Sequence, residues 1–285
     1  MKLIEEKAYA KVNLFLNVLN QRKDGYHNLE MINAKIAFHD IIRIEKNPTP
    51  GLALIISNDL FLSNQNNVVH DIASEMLRLY APREGVTIEI EKNIPFGAGL
   101  GGNSADAAAI IKGVDKLFGL GLTNEAMNEI ALRFGADIPY CLCDYPALVE
   151  GVGDRITKLD IDLKPWKVLL VNPKVFVSTA SAFNLGKKNG FDNTAIEPIK
   201  AAIDKADIAV IKDLVHNAFT DIVLNQYPEI KEVYELIKSH LDESGLVMSG
   251  TGSTFIKMVG QTEKSLTDFI AEFSDKYFIG LYDFL

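Results

Sequence analysis

One stretch limits this chain more than any other: Ile94-Pro-Phe-Gly-Ala-Gly-Leu-Gly-Gly-Asn-Ser-Ala-Asp-Ala-Ala-Ala-Ile-Ile-Lys-Gly113. Gly97, Gly99, Gly101 and Gly102 stand ahead of a run of alanines and isoleucines with helical character. Glycine accepts positive φ and lets the backbone come close to a ligand. The helix behind it leaves its first N–H groups unpaired and presents the positive end of its dipole. The spacing therefore predicts a phosphate seat, entered from a strand over residues 86–90. Two familiar templates overlap the stretch and both fail. The dinucleotide pattern G-x-G-x-x-G needs a second strand after the helix, and Thr123-Asn-Glu-Ala starts another helix instead. The Walker pattern needs a lysine where Asn103 stands. A phosphate seat of a third kind survives, with a plain glycine-rich helix cap as the alternative.

The chain has 285 residues, enough for about two domains. With 48% hydrophobic and 24% charged residues, it has the makings of a full core. A net charge of -9 without a long basic run argues against a nucleic-acid surface, although local lysines can still serve an anionic substrate. Cys141 and Cys143 are too few for a disulfide framework or a four-ligand zinc site. No eighteen-residue apolar run and no signal core are present, so a cytoplasmic protein without a membrane partner is expected.

Residues 8–19 alternate as a strand, with Lys11, Asn13 and Asn17 on the face opposite Ala8, Ala10, Val12 and Leu14. That polar face reads either as solvent-exposed or as a cleft wall. Asp24-Gly25 marks a tight turn from which Tyr26 and His27 emerge. Strands are expected over 29–46, 52–57, 86–90, 167–173, 246–248, 255–259 and 277–285. Helices are expected over 66–80, 104–118, 124–134, 207–219, 229–239 and 263–276. Asp137, in an apolar turn, is either a helix N-cap or a general base. Ser249-Gly-Thr-Gly-Ser-Thr254 is a second glycine-rich turn, read either as a hairpin or as a wall of a ligand site. The pattern restarts near Trp166, which divides the chain into residues 1–160 and 161–285.

Five motifs occur together: Lys11-Val-Asn-Leu-Phe-Leu, Asp24-Gly-Tyr-His27, Pro95-Phe-Gly-Ala-Gly-Leu-Gly-Gly-Asn-Ser104, Gly135-Ala-Asp-Ile-Pro139 and Ser249-Gly-Thr-Gly-Ser253. In order and spacing they resemble the GHMP kinase superfamily over nearly the whole chain. The Lys-x-Asn strand and the Asp-Gly-Tyr-His turn are similar to the branch whose acceptor carries a cytidine diphosphate moiety. The resemblance implies an α+β, two-domain fold, with an N-terminal part like the second domain of ribosomal protein S5 and a ferredoxin-like C-terminal part around an interdomain cleft. It implies phosphorylation of an acceptor hydroxyl by ATP, with Mg2+ expected alongside. Asp137 would be the base and Lys11 would orient the hydroxyl, with Asn13 holding substrate nearby. Tyr26 and Phe183 would sandwich the cytosine, and His27 would bond its edge. Pro95, Gly97, Ala98, Gly99, Leu100, Gly101, Gly102, Asn103, Ser104 and Ala105 would wrap the ATP phosphates, with Asn67 and Lys92 flanking the adenine. Gly250, Thr251, Gly252 and Ser253 would close the site. The loop departs from the family at Asn103-Ser104-Ala105-Asp106, where one hydroxyl is lost and Asp106 is left to join a metal sphere or cap the helix. The expected assembly is a monomer or weak homodimer. Competing readings are a mevalonate- or homoserine-type kinase, a non-catalytic nucleotide sensor and a dinucleotide oxidoreductase.

Overall fold

The computed structural model describes residues 3–57, 68–260 and 264–285. The chain divides into two compact units: residues 1–11, 38–96 and 101–144, and residues 12–37, 97–100 and 145–285. Two long strands, β1 (Leu3–Gln21) and β2 (His27–Asn47), contribute one half to each unit.

In the first unit, β3 (Gly51–Ser57) lies parallel to β4 (Gly85–Glu91), and β4 pairs antiparallel with β2, Ile44 opposite Ile88. Against these strands pack α1 (Val68–Tyr80) and α2 (Gly102–Phe118), followed by α3 (Asn124–Leu132) and the short α4 (Ile138–Leu142). The core is built from Ile42, Ile44 and Ile88 with Ile72, Met76, Ile110, Ile111 and Val114. The alanines of α2 (Ala105, Ala107, Ala108 and Ala109) are all buried, so their small side chains let this helix lie close to its neighbours. Each fully buried isoleucine contributes about 1.5–3 kcal/mol. Thr123 caps α3 by accepting from Ala126 N at 3.2 Å, and Gly119 ends α2 at φ 63°.

In the second unit, β2 pairs antiparallel with β5 (Ala147–Gly151), and β5 with β6 (Arg155–Lys158). A separate antiparallel sheet runs in the order β11-β7-β10-β9, built from β7 (Lys167–Asn172), β9 (Leu246–Met248), β10 (Phe255–Val259) and β11 (Phe278–Asp283). Its register sets Phe255 opposite Val171 and Met248. Between β7 and β9 lie α5 (Thr179–Asn189), α6 (Glu197–Asp204), α7 (Ile208–Asp213), β8 (His216–Asn217), α8 (Thr220–Gln226) and α9 (Pro228–Leu241). Helix α10 (Lys264–Phe273) precedes β11. The helix expected over 207–219 is therefore corrected. It stops at Asp213, because His216 and Asn217 pair in parallel with Phe15 and Leu16. Helices α5 and α6 have no counterpart among the expected elements. Among the described residues, no helix is long and apolar enough to cross a membrane.

Candidate active site

Gly97, Gly99 and Gly101 take φ of 62°, 75° and 68°, so the loop is wound by left-handed glycines. Close approach applies to all three. A Cβ on Gly97 would meet the Phe176 ring, one on Gly99 would collide with the Ser249 carbonyl, and one on Gly101 would stand 2.9 Å from Lys11 Cγ. Ala98 and Leu100 turn their side chains inward, which leaves main chain as the loop's outer surface. Gly101 is the N-cap of α2 and no side chain caps the helix. The first N–H groups, at Gly102, Asn103 and Ser104, thus lie at an open helix N-terminus, an anion seat by construction. Pro95 and Ala105 bracket this turn.

Lys11 is buried, and its Nζ lies 3.9 Å from Asp137 Oδ2. The solvent-exposed reading of its strand face is overturned, since Lys11 and Asn13 are 4% and 0% exposed. Asp137 precedes α4 but makes no side-chain cap. Of its two readings the capping one is thereby removed, and its carboxylate, 42% exposed, faces a lysine that also runs beneath Gly101. One lysine side chain thus lies against both the glycine loop at Gly101 and the Asp137 carboxylate.

The second glycine turn packs directly on the loop. Ser249 Oγ donates to Gly99 O at 2.9 Å, and Thr254 N donates to Ala98 O at 3.3 Å. Asn13 holds the turn in place: its Oδ1 accepts from Gly250 N at 2.9 Å and its Nδ2 donates to Asn33 Oδ1 at 2.6 Å. Asn217 adds bonds from Nδ2 to the carbonyls of Met248 and Gly250, at 2.6 and 2.8 Å. Ser253 bonds Val175 O, and Thr251 Oγ1 lies 3.3 Å from Thr179 Oγ1. Gly252 N donates to Ser249 O. Much of the polar equipment of this turn is therefore engaged in shaping it. Asn33 and Asn217 escape the sequence reading; a buried asparagine in an apolar strand is their only signal.

The Asp24-Gly25 turn forms as expected, with Tyr26 N donating to Asp24 Oδ1 at 3.1 Å and Gly25 at φ 88°. Tyr26 is left 65% exposed, whereas His27 is buried with its ring 5.2 Å from Phe183. Phe191 and Phe219 complete this aromatic group, at 5.7 Å from His27 and 5.0 Å from Phe183 respectively. Burial, and then the nearby Lys187 ammonium, hold the His27 pKa below 6.5.

Lys92 is buried, with its Nζ bonded to Asp40 and, at 2.6 Å, to Asp106 Oδ2. Asp106 is buried on α2 and neither caps that helix nor reaches outward, which corrects both roles expected for it. Asn67 lies outside the described residues. The structure thus brings Lys11, Asp137 and Gly101 together, sets Asn13 with Gly99 and the second turn, and sets His27 with Phe183. The chain links the first two groups, because Lys11 and Asn13, like Gly101 and Gly99, are two residues apart.

Residues 67–145 match the family model described as the GHMP kinases N terminal domain. A 4-diphosphocytidyl-2-C-methyl-D-erythritol kinase from Caldicellulosiruptor saccharolyticus is 38% identical over 249 residues, covering 86% of this chain and 84% of the relative. One of the same name from Geobacter sp. is 38% identical over 255 residues, 89% of each. This chain belongs to the 4-diphosphocytidyl-2-C-methyl-D-erythritol kinase family. A crystal structure of 4-(cytidine 5'-diphospho)-2C-methyl-D-erythritol kinase superposes with a TM-score of 0.80 at 26% identity, covering 99% of both chains. Homoserine kinase from Cytophaga hutchinsonii shares the fold, with a TM-score of 0.72 at 17% identity over 100% of this chain and 94% of that one. Members of this family are small-molecule kinases with ATP as co-substrate. The glycine-rich loop without the Walker lysine lies within the residues that match this family model.

Proposed function

We infer that this chain transfers the γ-phosphoryl group of ATP to the 2-hydroxyl of 4-diphosphocytidyl-2-C-methyl-D-erythritol, giving the 2-phosphate and ADP in the non-mevalonate route to isopentenyl diphosphate. The Lys11–Asp137 pair set against Gly101 is the observation that carries this reading. Phosphoryl transfer asks for positioning and charge neutralisation more than for covalent chemistry. Asp137 takes the proton of the 2-hydroxyl while that oxygen bonds the γ-phosphorus, and the bond to the β–γ bridging oxygen breaks to release ADP. Lys11 orients the hydroxyl and balances charge that gathers on the transferring group. Residues 95–105 hold the phosphates through main-chain N–H groups and the Ser104 hydroxyl. Lys92 flanks the adenine by its stem or main chain only, because its ammonium is engaged.

Mg2+ fits this donor set: the Ser104 hydroxyl in the first turn of α2 is a hard oxygen donor, and magnesium is commonly held by substrate phosphates, waters and one or two protein oxygens. Ser104 would be the protein ligand, and the ion would neutralise charge on the β- and γ-phosphates.

On the acceptor side, Tyr26 supplies an exposed ring for the cytosine, and the His27–Phe183 pair forms the wall and the edge contact. Asn13 acts by positioning the Gly250 turn. Residues 1–160, which draw on both compact units, serve ATP binding and catalysis in this reading, as a part like the second domain of ribosomal protein S5. Residues 161–285 serve the substrate side, and the sheet order β11-β7-β10-β9 with its intervening helices supports a ferredoxin-like unit. The enzyme is read as cytoplasmic, a monomer or weak homodimer. The test is ADP release with magnesium, ATP and 4-diphosphocytidyl-2-C-methyl-D-erythritol, with mevalonate and homoserine as parallel acceptors. Release with the cytidylyl acceptor alone supports the assignment; release only with another acceptor overturns it.

A further inference from the structure

The Lys92 ammonium and the Asp40 and Asp106 carboxyl groups, inside the first unit, take no part in the phosphoryl transfer above; only the stem or main chain of Lys92 meets the adenine in that reading. The Lys92 ammonium at the end of β4 lies between the carboxyl groups of Asp40 on β2 and Asp106 on α2, and all three are buried. Asp40 does more than pair with it. Its Oδ1 accepts the main-chain N–H groups of Asn93 and Ile94, at 2.5 and 2.8 Å. Those two residues lead into the glycine loop, whereas Asp106 sits in the second turn of the helix that leaves it. A Cβ built on Gly102 would come within 3.6 Å of Lys92 Nζ, so the ammonium lies directly under the first residue of α2.

A buried ion pair is a poor source of net stability, because desolvation consumes most of the attraction. What such a cluster provides is geometry. We propose that Asp40, Lys92 and Asp106 act as one buried clamp that fixes both ends of the phosphate loop, which makes them positioning residues for the ATP phosphates. The inference rests on the reading that this loop seats ATP.

The clamp ties strand to helix through one cation: Lys92 Nζ donates to Asp106 Oδ2 at 2.6 Å and also bonds Asp40, while the remaining lysines of α2, Lys112 and Lys116, pair with Asp144 and Glu6. Among the described residues Asp106 Oδ1 is buried with no hydrogen-bond partner, so Lys92 is what holds this carboxyl group in place.

The test is steady-state kinetics of the full chain, with KM for ATP and for the cytidylyl acceptor measured separately. Lys92→Met and Asp40→Asn are expected to raise the ATP KM roughly tenfold or more, the scale of a displaced binding group, and to leave the acceptor KM in place. Circular dichroism checks each variant for folding, and if Lys92→Met does not fold, the near-isosteric Asp40→Asn decides. A wild-type ATP KM in a folded variant overturns the clamp, as does an acceptor KM that rises in step with that for ATP. A wild-type chain that binds no ATP overturns the phosphate-seat reading instead.

Discussion

Lys11 is not two residues from Asn13 by chance of spacing: the strand turns both inward, and each then does a different job. Lys11 reaches Asp137 while Asn13 commits both ends of its amide to Asn33 and Gly250. For Asp137→Asn, turnover is expected to fall by roughly 10²–10⁴ with ATP affinity retained, the usual span for a lost general base. Near-wild-type turnover in the folded variant, measured by ADP release, would remove Asp137 from that role. Tyr26, exposed and next to the buried His27, is expected to carry stacking on the cytosine. Tyr26→Ala should weaken cytidine diphosphate binding by about 1–3 kcal/mol in calorimetry, the worth of one base–aromatic stack. His27 titrates below 6.5, so its ring is neutral at pH 7 and can bond a neutral base. Binding should hold steady from pH 9 to pH 7 and fail only below 6.5; a midpoint above 6.5 contradicts the assignment. The same sign applies to stability. The fold keeps this ring neutral, so its contribution is present above the unfolded value and falls away as the pH drops below 6.5.

At the scale of elements, two glycine turns from distant parts of the sequence are held together by one side-chain and one main-chain hydrogen bond. Ser249 and Thr254 bond the carbonyls of Gly99 and Ala98, and Gly250 stands against Gly99. Gly99→Ala meets two obstacles at once: a φ of 75° and the Ser249 carbonyl in the path of its Cβ. Its kcat/KM for ATP is expected to drop about tenfold or more, since displacement of a binding loop by about an ångström costs that much or more. Wild-type kinetics in this variant would show that the two turns need not touch. Helix α5 is the element the sequence concealed best. Its residues Thr179–Asn189 hold a weak apolar pattern, and Phe183 takes its place only by meeting His27 and Phe219. Periodicity cannot register a helix organised around a ring cluster drawn from three separate segments.

For the molecule as a whole, ligand linkage offers a direct check. If the native chain binds ATP and the unfolded chain does not, ATP at a hundred times its Kd should add about 2.7 kcal/mol of stability, read as a higher Tm with magnesium present. No shift under those conditions would deny the nucleotide site. The glycine loop, the strand before it and the helix after it were legible from sequence, because positive φ and an open helix N-terminus are local demands that only glycine and a helix-forming run satisfy together. The Asp24-Gly25 turn and the strands around it were legible for the same local reason. What the sequence left open were pairings across long separations: whether Asp137 caps a helix, whether Lys11 is exposed or buried, and the partner of Asp106. Each was decided by which groups the fold packs together. Asp137 loses the capping role because its carboxylate faces Lys11, and Asp106 loses the metal role because Lys92 and a buried core enclose it. A side chain's local spacing shows its type and its face, but its charge partner and its solvent are properties of the folded core.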